Sequence, residues 1–272
     1  MLPDVVAHRG ASAHRAEHTL AAYALALEQG ADGLECDVRL TRDGHLVCHH
    51  DRRVDRTSSG RGVVSTLSLE RMAELDYGGW HAEPPEHADD LVLTHRTAKP
   101  ERLLTLEALL ALVVDTGARL FVETKHPVRY AGLVEAKLIA LLRRYGLAAP
   151  PSKEESPVVV MSFSARAVGR VRRHSATLPT VLLLGPLARL RRDATLPPAA
   201  DYAGPSIEAL RADPDYVART ADRGHDTYCW TVDDAADILL CQRIGVRFLA
   251  TNAPGATRAI LDGGAAGNVA AR

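Results

Sequence analysis

The chain has few cysteines, no long apolar run and no excess of charge of one sign, and each shortage excludes something. Its four cysteines, Cys36, Cys48, Cys229 and Cys241, are scattered without a Cys-x-x-Cys pair. That spacing offers neither a zinc framework nor a disulfide scaffold, and it reads as the reduced, buried thiols of a cytosolic protein. No stretch approaches the roughly 20 apolar residues needed to span a bilayer, so stable membrane insertion is not expected. The opening Met1-Leu2-Pro3-Asp4 has no basic segment followed by an apolar run, and no secretory signal is expected. With 33 Lys and Arg against 34 Asp and Glu, the net charge is −1. No global basic field therefore points to nucleic acid or to an anionic membrane surface. The local clusters Arg170-Val171-Arg172-Arg173 and Arg189-Leu190-Arg191-Arg192 read as solvated surface. Cytoplasm is the expected compartment. No internal repeat is visible.

What is present is an ordinary globular composition, 46% hydrophobic and 25% charged over 272 residues. Short β-branched runs alternate with Ala/Leu-rich helical stretches. Strands are predicted at 5–7, 33–38, 119–124, 157–162, 180–184, 201–204, 226–231 and 247–251. Helices are predicted at 19–29, 105–115, 129–145, 164–173, 213–223, 233–243 and 254–262. Thr19 is the expected N-cap of the first, with Gly30 just past its end, and Asp213-Pro214 is the expected start of another. About eight strand–helix units over this length favour an α/β fold of the (β/α)8 TIM-barrel type over a doubly wound open sheet, which alternation alone does not exclude.

Two regions interrupt the alternation. Thr41-Arg42-Asp43-Gly44 predicts a β-hairpin returning through His45–His49, and a long insertion follows over 52–104. Within it, a short helix is predicted near Ser68–Leu75 with Ser68 as its cap, then a turn at Gly78-Gly79-Trp80. So long a connection is more often a lid or binding loop than filler. The expected organisation is one domain over 1–272, with 41–104 as hairpin plus insertion and 263–272 as a frayed tail. Residues 151–156 are expected to form an exposed loop.

The charged residues of 5–51 are unusual because each lies at or beside an apolar run, where burial costs several kcal/mol unless the charge is paired or metal-bound. Alternate strand residues share a face, so Glu35 and Asp37 point the same way, about 6–7 Å apart, while Leu34, Cys36 and Val38 point to the other. The same rule puts Phe121, Glu123 and Lys125 on one face. In a parallel barrel, Glu35, Asp37 and Glu123 would meet near the C-terminal mouth, and three carboxylates with room for water or substrate suit Mg²⁺ or Ca²⁺. The alternative pairs Glu35 or Glu123 with Arg9 or Lys125 as buried salt bridges. His8 and His50, each at a strand end, form a candidate acid–base pair, because histidine both gives and takes protons near neutrality. The other histidines, His18 and His49 among them, are read as ordinary surface or core residues. Arg9 and Lys125 point to an anionic substrate, with phosphate the commonest.

In order, His8-Arg9-Gly10, Glu17-His18-Thr19, Glu35-Cys36-Asp37, His50-Asp51 and Glu123-Thr124-Lys125 resemble the motifs of the glycerophosphodiester phosphodiesterases. Asp55-Arg56-Thr57, Leu104-Thr105-Leu106-Glu107, Trp230-Thr231-Val232 and Ala250-Thr251-Asn252 extend the resemblance to about residue 262. Ala16-Glu17-His18-Thr19 departs from the family's Pro-Glu-Asn-Thr, and His49 stands where an apolar residue is frequent. The resemblance implies metal-dependent hydrolysis of a small glycerophosphodiester to sn-glycerol 3-phosphate and an alcohol. Glu35, Asp37 and Glu123 would hold the metal. Arg9 and Lys125 would bind phosphate, and His8 and His50 would act as base and acid, in that order or the reverse, through a cyclic phosphate. Glu17 would orient its neighbours, and Trp230 would stack on the substrate or serve the core. Two other readings are a barrel phosphodiesterase acting on membrane lipid, phospholipase-D-like, and a non-catalytic glycerophosphodiester-binding protein. The His-, Asp- and Arg-rich stretch 81–102 disfavours the first, and the complete set of histidines and carboxylates disfavours the second. The sequence is compatible with a homo-oligomer.

Overall fold

The computed structural model describes residues 2–81, 100–129, 132–186 and 190–269. Much of the polar stretch expected at 81–102, and Arg189 of the second basic cluster, lie outside the described residues. Eight parallel strands form the barrel: β1 (Asp4–His8), β2 (Gly33–Leu40), β4 (Arg119–Thr124), β5 (Val158–Ser162), β6 (Thr180–Leu184), β7 (Tyr202–Pro205), β8 (Tyr228–Cys229) and β9 (Phe248–Thr251). They pair in the order β7-β6-β5-β4-β2-β1-β9-β8. Parallel bridges Ala203–Thr227 and Ser206–Trp230 join β7 to the segment of β8 and close the ring. The predicted strand 226–231 is thus regular only at its centre. The hairpin predicted after the second strand is present, with β3 (Leu46–Cys48) antiparallel to β2 through Val38–Cys48 and Leu40–Leu46.

Around the barrel run α1 (Leu20–Glu28), α3 (Leu106–Thr116), α4 (Leu133–Arg144), α5 (Ala165–His174), α6 (Ile207–Ala212), α7 (Tyr216–Ala221), α8 (Ala235–Ile244) and α9 (Pro254–Val269), while the short α2 (Leu69–Ala73) lies in the insertion. Thr19 caps α1 by accepting from the Ala22 N–H, and Ser68 caps α2 through Arg71 N–H. Helix α9 continues through the tail expected to fray from Gly263. One predicted helix is corrected. Instead of a single helix over 213–223, α6 ends at Ala212 and α7 begins at Tyr216. Asp213 precedes a proline, which disfavours the α region, and sits at φ −146°, ψ 72°. Its carboxylate accepts from Arg219 rather than capping a helix.

Strand alternation divides the interior in two. Ala7, Leu34, Cys36, Val38, Leu120, Val122, Val158 and Val160 face outward and pack with the helices. Val6, Phe121, Val159, Met161, Val181, Leu183, Tyr202, Tyr228, Phe248 and Ala250 face inward and plug the barrel. The inward face of each strand then continues toward the C-terminal end, where apolar residues give way to polar ones. Two residues beyond Val6 is His8, two beyond Phe121 is Glu123, and two beyond Ala250 is Asn252. The apolar plug is the floor of the site, a common arrangement in this architecture.

The loop after β1 is held tightly on α1. Gly10 has φ +84°, and a Cβ there would lie 2.7 Å from Ala22 main-chain carbon and Cβ. Gly10→Ala therefore meets both backbone strain and a clash with main chain that cannot swing away. The expected loss is about 2 kcal/mol of unfolding free energy, read from the midpoint of chemical denaturation at unchanged slope. A loss below about 0.5 kcal/mol would show that the loop is not packed as described.

Candidate active site

At the C-terminal mouth a cavity of about 240 Å³ is lined by His8, Arg9, Glu35, His50, Glu123, Lys125, Met161, Phe163, Leu183, Tyr228 and Trp230. Five of the nine residues singled out from sequence, His8, Glu35, His50, Glu123 and Lys125, face one another across it; Trp230 and Arg9 complete its wall, and Asp37 lies beside Glu35 and Glu123. Glu17 stands at the edge, bonded to Arg9 and Arg56.

The parallel register of β2 and β4 places Asp37 beside Glu123. Glu35, Asp37 and Glu123 are buried, and each offers an oxygen within 4.8 Å of the others. Their charges are unequally tolerated. Burial, reinforced by the Asp37 charge, pushes Glu35 well above the usual carboxylate range and Glu123 up to about 8. Burial acts against Asp37 as well, but Lys125, the His18 hydrogen bond and Arg9 outweigh it and hold Asp37 low. Lys125 Nζ lies 2.9 Å from Glu123 Oε1 and 3.2 Å from Asp37 Oδ1. Asp37 Oδ1 nevertheless has no properly directed hydrogen bond among the described residues. A carboxylate oxygen held by a lysine charge without a directed hydrogen bond, with two neighbouring carboxyls driven toward protonation, is a donor set that a hard divalent cation fits.

His18, read as an ordinary histidine from sequence, belongs to this cluster. It is buried, with Nε2 3.0 Å from Asp37 Oδ2 and Nδ1 2.9 Å from the Tyr23 hydroxyl. The Tyr23 hydroxyl donates in turn to the Glu35 carbonyl. Where the resembling motif has Asn, this chain thus uses a longer ring that reaches a carboxylate. His49 is buried too, but it contacts the Arg53 carbonyl and serves the hairpin.

The two candidate proton-transfer histidines are each fixed through Nδ1. His8 Nδ1 is 2.8 Å from Asn252 Oδ1. The Asp233 carboxylate can only accept, and it takes Asn252 Nδ2–H and the Asn252 backbone N–H. Asn252 must then present its oxygen to His8, so the proton resides on His8 Nδ1 and Nε2 keeps its lone pair. Ser12 Oγ donates to the same Asn252 oxygen. Burial and the Arg9 charge lower His8 to about 4, so the ring is neutral near pH 7. His50 Nδ1 is 2.7 Å from Asp51 Oδ1, and Arg56 bridges Asp51 to Glu17. His50 is lowered as well, chiefly by burial.

Sequence reasoning gave no site role to Ser12, His18, Arg56, Phe163, Asp233 and Asn252, although His18, Arg56 and Asn252 stand in the motifs that carry the resemblance. Period-two continuation of β5 and β9 could have found Phe163 and Asn252; nothing local marked Ser12 or Asp233. Phe163 is 46% exposed and meets Trp230 edge-on at 5.3 Å. The Trp230 indole N–H is held by the Gly204 carbonyl, which fixes the ring at the rim.

Known proteins resemble this chain over nearly its whole length. Residues 8–256 match the model of the glycerophosphoryl diester phosphodiesterase family. The "Probable glycerophosphodiester phosphodiesterase 1" of Mycobacterium tuberculosis (strain ATCC 25618 / H37Rv) is 54% identical over 269 residues, covering 97% of this chain and 94% of that protein. The glycerophosphodiester phosphodiesterase of Bacillus subtilis (strain 168) is 35% identical, covering 92% and 83%. The crystal structure of the Agrobacterium tumefaciens glycerophosphodiester phosphodiesterase superposes with a TM-score of 0.75 at 25% identity, covering 95% and 100%. The Oleispira antarctica phosphodiesterase OLEI02445, solved with the product sn-glycerol-3-phosphate, gives 0.75 at 21%, covering 96% and 97%, and shares the fold.

The tautomer argument has a direct test. Long-range ¹H–¹⁵N spectra of the free protein are expected to show His8 neutral at pH 7, protonated on Nδ1, and charging only as pH falls toward about 4. Asn252→Leu removes the acceptor, and both tautomers should then appear. A His8 in the wild-type protein that titrates near its ordinary value would remove the constraint.

Proposed function

The chain belongs to the glycerophosphoryl diester phosphodiesterase family, and from that premise we propose that it hydrolyses small glycerophosphodiesters to sn-glycerol 3-phosphate and an alcohol, using a divalent cation and two histidines. The enzyme class, a phosphoric diester hydrolase, follows from the family; the residue roles are our reading. The observation that carries it is the meeting of three buried carboxylates with two histidines whose Nδ1 atoms are both taken, around a cavity edged by Arg9 and Lys125.

Glu35, Asp37 and Glu123 would hold Mg²⁺ or Ca²⁺. When bound, the cation supplies charge to a phosphoryl oxygen and acidifies a neighbouring hydroxyl. The protein's own groups do the rest. Arg9 and Lys125 neutralise the phosphate as charge develops. Neutral His8 takes the proton of the attacking glycerol hydroxyl on Nε2, because Asn252 has reserved Nδ1. His50, whose protonated ring the Asp51 carboxylate supports, gives its Nε2 proton to the departing alcohol. A cyclic phosphate results, and the roles reverse as water opens it: His50 accepts a proton from water and His8 returns its own to the glycerol oxygen. Glu17, ionised because Arg56 and Arg9 outweigh its burial and hold it at about 2, keeps Arg9 aimed inward. Trp230 and Phe163 present an apolar wall to the glycerol or the leaving group.

Among the described residues no helix is long and apolar enough to cross a membrane. All four cysteines are free and buried, which supports the cytoplasmic setting proposed for a deacylated substrate.

Release of glycerol 3-phosphate from glycerophosphocholine, -ethanolamine, -glycerol and -inositol measures the activity. His8→Ala and His50→Ala are each expected to lower kcat about 10³-fold with the fold intact by circular dichroism. Near-normal turnover in either variant removes that histidine from the mechanism. Dialysis against chelator is expected to abolish turnover, and Mg²⁺ or Ca²⁺ to restore it. Full activity without metal would overturn the role given to the carboxylates.

A further inference from the structure

A second cavity, of about 450 Å³, lies on the hairpin side of the barrel mouth and shares no lining residue with the first. Its walls come from three places: Arg39, Leu40 and Thr41 at the end of β2, Val63–Thr66 with Arg52 in the insertion, and Pro127–Arg129 after β4 with Val134 of α4. The volume falls in the range of small-molecule sites. Three arginines line it, and among the described residues no carboxylate does. Thr41, Ser65 and Thr66 add hydroxyls, and the rest of the lining is apolar, from Val63, Pro127 and Val128 with Leu40, Val64 and Val134 packed behind them.

The walls are fixed before any ligand arrives. Arg53 and Val63 form an antiparallel bridge. The Val64 N–H reaches the Arg52 carbonyl, and the Arg42 N–H reaches the Leu67 carbonyl, tying insertion to hairpin. Arg39 is the telling residue. It is partly buried, and its Nε and Nη2 both donate to one neutral acceptor, the His50 carbonyl, at 2.9 and 2.7 Å. A guanidinium withdrawn from water ordinarily finds a carboxylate or phosphate. Among the described residues neither Arg39 nor Arg52 forms an ion pair with a carboxylate, although neighbouring arginines do, Arg53 with Asp55 and Arg56 with Asp51. Two N–H groups of Arg39 spent on His50 leave three others for a second acceptor.

We propose that this cavity is a second binding site, for a small organic anion of the phosphate monoester class with an apolar body. The phosphate would meet Arg39 and Arg52, and the apolar part would cover Val63 and Val128. A monoester suits the site better than a bare ion because most of the wall is apolar. The ligand would sit one side chain from His50, since the Arg39 guanidinium bridges the two. The proposal does not rest on the catalytic reading.

Phenyl phosphate is the probe, titrated calorimetrically into the full-length protein already saturated with sn-glycerol 3-phosphate. One further equivalent is expected to bind. Arg52→Glu should weaken that binding at least about tenfold, and Arg129→Glu measurably, while Arg61→Glu, an exposed arginine outside the cavity, should leave it within about twofold. Turnover without the probe should remain within about twofold in the Arg52 variant. Absence of binding to the saturated protein overturns the site. So does equal weakening by Arg61→Glu, which would mean diffuse surface charge only. Failure of the catalytic reading shows separately, as absence of sn-glycerol 3-phosphate binding in the first titration.

Discussion

Burying the Asp37 carboxylate is the constraint around which the mouth of the barrel is arranged. An ionised carboxylate out of water costs several kcal/mol unless it is paired, and Asp37 draws its partners from three separate parts of the chain. Arg9 comes from the end of β1, His18 from the entry to α1, and Lys125 from the end of β4. Two of these bring their backbones into the left-handed region, Arg9 at φ 60° and His18 at φ 59°, and the His18 N–H closes on the Arg9 carbonyl. The loop is therefore shaped by the carboxylate it serves. With Asp37 secured, its charge falls on Glu35 and Glu123, which respond by favouring their protonated forms. Cations are plentiful around the central carboxylate and scarcer around the outer two, an imbalance that a divalent ion would relieve.

A second network lies across the rim. Arg56 reaches Glu17 with one face of its guanidinium and Asp51 with the other, joining the entry of α1 to the loop that carries His50. Single exposed ion pairs contribute little, but a bidentate guanidinium shared between two carboxylates fixes geometry as well as charge. His8 is fixed from the opposite side by the Asn252 amide at the end of the last barrel strand, itself held by Asp233 from the loop after β8. The two histidines are thus oriented by unrelated segments, with an ionised carboxylate next to one ring and an amide next to the other.

Much of this was legible in the sequence, because alternation along a strand is a strictly local rule. It places Glu35 with Asp37, and Glu123 with Lys125, and the plug residues two positions earlier confirm which face is inside. Seven of the eight predicted barrel strands lie within a residue or two of their observed bounds, while that at 226–231 is regular only over Tyr228–Cys229. What stayed hidden depends on contacts between distant residues. His18 has no periodic neighbour to mark it, and its role appears only when Asp37 arrives 19 positions later. Ser12 and Asp233 matter only through Asn252. The helix over 213–223 was misread because a proline that looks like a first-turn residue instead ends the helix before it. The insertion showed its cap at Ser68, but not that its loop at 63–66 forms one wall of a basic cavity.

The hydrogen bond between His8 and Asn252 spans 244 positions. Contacts so distant in sequence form slowly, because loop-closure entropy is lost before they reward it. On a ribosome, the acids and histidines of the first 51 residues emerge long before the amide that sets the His8 tautomer. The nascent chain therefore carries most of the candidate site residues before the His8 tautomer is set. A chain cut short of the final strand would lose the acceptor that orients His8, whatever the stability of the rest.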